Sequence, residues 1–153
     1  MKVLKSILTY IKETITSKKT GFYISLIAAI LCSISSFIFQ FHYKGTTYYS
    51  LNPTIYADVG LILFAFLSLF RATSTIGAAF LSLFSLLSML SFINATYMYF
   101  SELFFSGISM SALKSIDKMY VIILVLYLIA IIASNVSVYV RQNKIEVIDN
   151  ENK

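Results

Sequence analysis

An all-α integral membrane fold, a four-helix bundle with an N-terminal amphipathic interfacial helix, is predicted by three observations on this chain of 153 residues. The composition is 58% hydrophobic and only 12% charged, with a mean hydropathy of +0.81, whereas an average soluble domain carries about 25% charge. The apolar residues gather in runs long enough to cross a bilayer. The cations lie between those runs, mostly on one predicted side. So little charge cannot cover a chain in water, which argues against a soluble enzyme, a nucleic-acid-binding domain and a disordered protein.

The first predicted element is residues 2–17, KVLKSILTYIKETITS. Val3, Ile7, Ile11 and Ile15 recur at helical spacing with Leu4 and Leu8 beside them, and Lys5, Lys12 and Glu13 stand off that stripe. This pattern predicts an amphipathic helix on the inner leaflet, where anionic lipid attracts lysine. A cytoplasmic extension of the first span and a partner-binding helix are the alternatives. Lys18-Lys19-Thr20-Gly21 then reads as a hinge.

Thr20 to Phe41 is 22 residues without a charge, enough for about 30 Å of hydrocarbon at 1.5 Å per residue, and the first span is placed at 22–41. The run exceeds the usual signal-peptide core of about 7–15 residues, so it reads as a retained anchor. Cys32 is the single cysteine, which excludes an intrachain disulfide and a zinc site built on thiolates. The outer loop 42–51, HYKGTTYYSL, places Gly45 among Tyr43, Tyr48 and Tyr49. It reads as a short β-like hairpin or an aromatic ledge at the headgroup level.

The second span is the least regular. Val59 to Phe70 is 12 uncharged residues, about 18 Å of helix and too short alone. Asn52-Pro53 is a good helix start, and Arg71 can extend its stem to the interface. A span at 52–71 therefore requires Asp58 to sit near one headgroup region. Arg71 to Thr75 forms a tight turn that makes the flanking helices antiparallel neighbours. The third span, 75–99, lies within the uncharged run Ala72 to Ser101. An outer loop at 101–118 includes a brief interfacial helix near 109–113. The fourth span, 119–140, precedes a polar cytoplasmic tail, 141–153.

The cations test the count. Four spans with a cytoplasmic N-terminus place Lys2, Lys5, Lys12, Lys18, Lys19, Arg71, Arg141, Lys144 and Lys153 inside and Lys44, Lys114 and Lys118 outside, nine against three. Three crossings give seven against five. The positive-inside rule favours four spans with both termini cytoplasmic, with Lys18, Lys19, Arg71 and Arg141 setting the topology.

Small residues recur at four-residue spacing: Ser25, Ala29 and Ser33 in the first span, Ser74, Ala78 and Ser82 in the third. Such faces let helix backbones approach closely in lipid. Packing inside the bundle is one use of the Ser25, Ala29, Ser33 face, and docking a partner subunit is the other.

Groups that carry chemistry are few. The central portions of the predicted spans lack ionisable residues, which argues against a proton relay. His42, Asp58, Glu102 and Asp117 form a candidate outer polar site without motif spacing, and separate interfacial charges are the simpler account. Asp58 can also favour the positive end of its helix. No catalytic, cofactor-binding or metal-ligating set emerges, because His42 has no nucleophile motif around it and no phosphate loop or HExxH occurs. The formal charge of +5 reflects orientation rather than nucleic-acid binding. The partners implied are the lipid bilayer and a membrane-protein partner or further copies of the chain.

Lys18-Lys19-Thr20-Gly21-Phe22-Tyr23 leading into span one, followed by an aromatic outer loop and three more spans, resembles a group of small uncharacterised four-span proteins of low-GC Gram-positive bacteria. The resemblance implies a multi-pass protein of a bacterial plasma membrane and supplies no activity. The expectation is a non-enzymatic accessory or scaffold subunit of a membrane or envelope assembly, the alternative being an oligomeric small-solute channel or transporter, including a holin-like pore.

Overall fold

A computed structural model describes residues 16–70, 72–105, 107 and 110–143, together with Thr9, Lys12 and Glu13. The amphipathic segment expected at 2–17 falls mostly outside the described residues, as do Arg71 and the tail from 144 onward.

The fold is an all-α bundle: α1 Thr20–His42, α2 Asn52–Ser68, α3 Ser74–Ala95, α4 Tyr97–Leu103, α5 Met110–Lys114 and α6 Lys118–Tyr139. Three of these helices, α1, α3 and α6, are long and apolar enough to cross a membrane, and α2 is a shorter apolar helix. This corrects the expected four-span bundle with an amphipathic N-terminal helix. The helix that carries the N-terminal part of the described bundle, α1, is itself apolar and of membrane length.

The reason lies in where α2 begins. Its 17 residues make about 25 Å of helix. Thr54 Oγ1 lies 3.4 Å from the Ser36 carbonyl, and the Pro53 carbonyl accepts a 2.6 Å hydrogen bond from Ser88. Ser36 and Ser88 are both well inside their own helices. The helix therefore starts below the level of His42, and the loop before it, rather than the helix, supplies the remaining depth.

Contacts define two ends. At one end Lys18 pairs with Asn143 in an isolated antiparallel bridge, Lys18 Nζ donates to the Ser68 carbonyl at 2.5 Å, and Asn143 donates to Ser74 Oγ. At the other end His42 meets Asp117. The turn between α2 and α3 brings these two helices side by side, while α1 packs chiefly against α6. Gly45 makes its turn with φ +85°, where a side chain would be strained, and the loop between α1 and α2 is a run of turns, Thr46 N–H to Tyr43 and Tyr49 N–H to Thr46.

Small residues sit where backbones meet. Ser25, Ala28 and Ala29 are buried in α1 and Ala130 and Ser134 in α6, and Ser25 Oγ donates to Ser137 Oγ at 2.8 Å. The Ser25 and Ala29 face is thus used within the bundle. Lys18 to Gly21 is clamped: the Lys19 and Gly21 amides donate to the carbonyls of Gln142 and Arg141, and a Cβ on Gly21 would stand 2.5 Å from the Val140 carbonyl oxygen. Outward, α1 presents Tyr23, Ile27, Ile30, Ile34, Phe37 and Phe41, one side of a helix facing lipid.

A Cβ on Gly60 would lie 2.7 Å from Phe84 Cβ, so α2 and α3 approach closely there. Gly60→Leu is expected to force the pair apart at a cost of roughly 1–3 kcal/mol, read as a lower unfolding temperature in detergent micelles. An unchanged transition would mean that this close approach does not hold the two helices together.

Candidate functional site

Three polar regions stand out, one at each end and one at mid-depth. At one end, His42 closes α1 and Asp117 caps α6, and their side chains meet at 2.7 Å, Nε2 to Oδ2. Asp117 Oδ1 accepts from the Met119 amide at 3.0 Å, satisfying one of the exposed N–H groups of a helix start. Asp117 Oδ2 also accepts from the Tyr43 hydroxyl at 3.1 Å, and its own amide donates to the Tyr99 hydroxyl at 2.8 Å. Partial burial by itself would raise the Asp117 carboxyl pKa, but the Met119 amide and the hydrogen bonds of His42 and Tyr43 outweigh it and lower it. The Tyr43 hydroxyl is pushed up, first by burial and then by the charge and hydrogen bond of Asp117.

Glu102 belongs to a separate pair, accepting from the Tyr48 hydroxyl at 2.5 Å. That bond leads in raising the Tyr48 pKa. Tyr48 also meets the Tyr99 ring, with centroids 5.8 Å apart. Of the four residues in the candidate outer site, the structure thus joins His42 with Asp117 and leaves Glu102 with Tyr48. Among the described residues no group of three or more His, Cys, Asp or Glu side chains could hold a metal ion.

Asp58 lies elsewhere. The helices α1 and α2 run antiparallel, with Thr54 beside Ser36. One turn further along α2 is Asp58, and one turn back along α1 is Cys32. Consistent with that level, Asp58 interacts electrostatically with Cys32. Cys32 is near the middle of the 23-residue α1, so the half-buried Asp58 stands at mid-depth rather than at a headgroup region. It has neither a hydrogen-bond nor an ion-pair partner among the described residues. Its recess follows from the deep start of α2, a depth that the distance along the sequence from His42 does not reveal.

Around this level the interior is polar. Ser88 and Tyr127, both buried, are linked hydroxyl to hydroxyl at 2.9 Å. Thr54 Oγ1 also lies 3.5 Å from Gln40 Oε1. On the exposed surface, nearer the end of α6, Ser82 donates to Asn135 Oδ1 at 3.0 Å and ties α3 to α6. None of these links was signalled by a motif. A periodic placement of hydroxyls on facing helices was the available sign.

The opposite end, where α1 begins and α6 finishes, is organised by Lys18. It is 7% exposed, its ammonium bonds the Ser68 carbonyl and lies 5.1 Å from the Phe22 ring centroid. Lys18 is therefore part of the bundle wall. Lys19 and Arg141 are the other predicted topology-setting cations at this end, where Lys19 and Arg141 flank the clamp through their backbones.

Comparison of the chain with protein-family models, with curated proteins and with solved structures finds no match. The fold defines a helical, multi-spanning membrane protein.

Asp117 should contribute stability above its ordinary pKa of 3.8, because a carboxyl lowered in the folded state favours folding once it is ionised. That contribution is lost as pH falls through the lowered folded-state value. Asp117→Ala is expected to cost about 1–2 kcal/mol through the lost cap and to flatten the acid limb of the unfolding-temperature profile. An identical acid limb in the variant would show that Asp117 does not carry it.

Proposed function

We propose that the protein acts by binding, as a non-enzymatic accessory or scaffold subunit of a larger membrane or envelope assembly in a bacterial plasma membrane. The observation that supports this is Asp58 at mid-depth with no hydrogen-bond or ion-pair partner among the described residues. An ionisable group in a membrane interior is costly and ordinarily pairs with another polar group. A basic or hydroxyl-bearing side chain on a partner helix would supply the donor that none of the described residues gives Asp58. His42 bonds Asp117 rather than a serine or cysteine, which fits a non-enzymatic role. The end carrying Lys18, Lys19 and Arg141 is assigned to the cytoplasmic side by the same positive bias that orients other membrane proteins.

An oligomeric small-solute channel or transporter, holin-like pores included, is the second reading. The polar interior at the level of Ser88, Tyr127 and Thr54 favours it.

Asp58→Leu separates these readings from a role in folding. Removing an unpaired, half-buried carboxyl should leave the unfolding temperature of the isolated protein unchanged or raised. The detergent-extracted mass should fall from that of a hetero-complex to that of the chain alone. A hetero-complex that survives the substitution would remove the support for the subunit reading. A homo-oligomer that conducts ions in liposomes and loses conduction with Asp58→Leu would favour the channel.

A further inference from the structure

Where the loop after α1 meets α4 there is an open recess of about 390 Å³, lined by Tyr48, Tyr99, Glu102 and Leu103. Small-molecule sites are usually about 300–1,000 Å³. The Tyr48 and Tyr99 rings stand at 73° to each other with centroids 5.8 Å apart, and so form two walls of a corner. Glu102 adds a carboxylate, joined to the Tyr48 hydroxyl by the 2.5 Å bond to Oε2. Tyr99 is held in turn from behind. Its hydroxyl accepts from the Asp117 amide at 2.8 Å, and its ring centroid lies 6.2 Å from that of Tyr120 in α6. The corner is therefore set before a guest enters it, which lowers the ordering cost of binding.

Two aromatic rings and a carboxylate attract the same kind of guest. Ring faces carry the negative part of the quadrupole and draw a cation that comes within about 6 Å of the centroid. A carboxylate can accept at about four lone-pair positions. Glu102 uses one for Tyr48 and has no ion-pair partner among the described residues. A primary ammonium brings three N–H donors that ask for as many acceptors, whereas most of this wall is ring surface and the Leu103 side chain. A methylated ammonium asks for none. We propose that this recess binds a quaternary ammonium group, its charge set against Glu102 and its methyl groups against Tyr48, Tyr99 and Leu103. Such a group is carried by the choline headgroup of a lipid and by free quaternary ammonium solutes, and the chemistry that recognises it is the same. The site is separate from Asp58 and does not depend on the subunit reading.

The test is calorimetric titration of the full chain in dodecyl maltoside with choline chloride, against sodium chloride at equal ionic strength. Saturable binding of choline is expected, about tenfold or more tighter than that of ethanolamine or of the uncharged isostere 3,3-dimethylbutanol. Tyr48→Leu and Glu102→Gln should each weaken it about tenfold, while Tyr48→Phe, which keeps the ring, should hold it within about threefold. Tyr48 is only half-exposed, so if Tyr48→Leu lowers the unfolding temperature, Glu102→Gln at its exposed position carries the test. Native mass spectrometry of the chain from phosphatidylglycerol nanodiscs containing phosphatidylcholine separates the two sources. Retention of phosphatidylcholine that Glu102→Gln abolishes identifies the lipid, and choline binding without that retention identifies a free solute. Neither choline binding nor phosphatidylcholine retention would overturn the proposal. So would equal affinity for ethanolamine or the uncharged isostere, and so would choline binding undiminished in Glu102→Gln.

Discussion

Lipid tails are as apolar as leucine, so helices in a bilayer gain little from hiding hydrophobic surface and hold together where their backbones come close enough for dense contact. This protein meets that constraint with small residues where α1 meets α6 and where α2 meets α3. Ser25 of α1 reaches Ser137 of α6, Cys32 of α1 shares a cluster with Ala130 of α6, and Ala28 and Ala29 pack with Phe64 of α2 and Leu81 of α3. Gly60 brings α2 onto Phe84 of α3. Larger side chains fill the space beyond these contacts, with Phe39, Phe92 and Tyr120 in edge and stacked arrangements and Phe64 and Leu81 in a second cluster toward the end that carries Lys18. The bulky aliphatic residues are left to the outside, where lipid is an adequate solvent for them.

Close packing then decides where polar groups can go. Serine and threonine are small enough for the interfaces, and in a dry interior their hydroxyls need partners. Several take the carbonyl one turn earlier, as Ser25 does with Gly21 and Ser35 with Leu31. Others reach across, as Ser88 does to the Pro53 carbonyl. The latter bond fixes the recessed start of α2 and through it the depth of Asp58. One packing decision, a hydroxyl in place of a larger side chain at position 88, thus positions an ionisable group more than a turn away.

Much of this was legible in the sequence and some could not be. Uncharged runs located α1, α3 and α6, because the length of a membrane helix is imposed by the bilayer. The same reasoning misjudged α2. Asn52-Pro53 marks a helix start, but its distance from the surface depends on which carbonyl the neighbouring helix offers, and that is a tertiary fact. Placing Asp58 at a headgroup followed from assuming that the helix starts at the surface. The candidate group of His42, Asp58, Glu102 and Asp117 divided for a related reason: only His42 and Asp117 terminate helices that pack against each other, and Glu102 is taken by Tyr48. Lys18 was legible as a cation near a membrane edge. Its burial against Phe22 and Ser68 was not, since orientation rules use charge and ignore direction.

The clamp between Lys19, Gly21, Arg141 and Gln142 bears on how the protein is made. A ribosome delivers α1 to the membrane first, when the carbonyls that the Lys19 and Gly21 amides require are not yet synthesised. Those amides must stay hydrated at the interface until α6 has entered and its C-terminal strand of chain can fold back onto them. Closure of the bundle accordingly waits for the residues that follow α6. A ribosome stalled before position 141 would leave a full set of membrane-length helices, still open at one end.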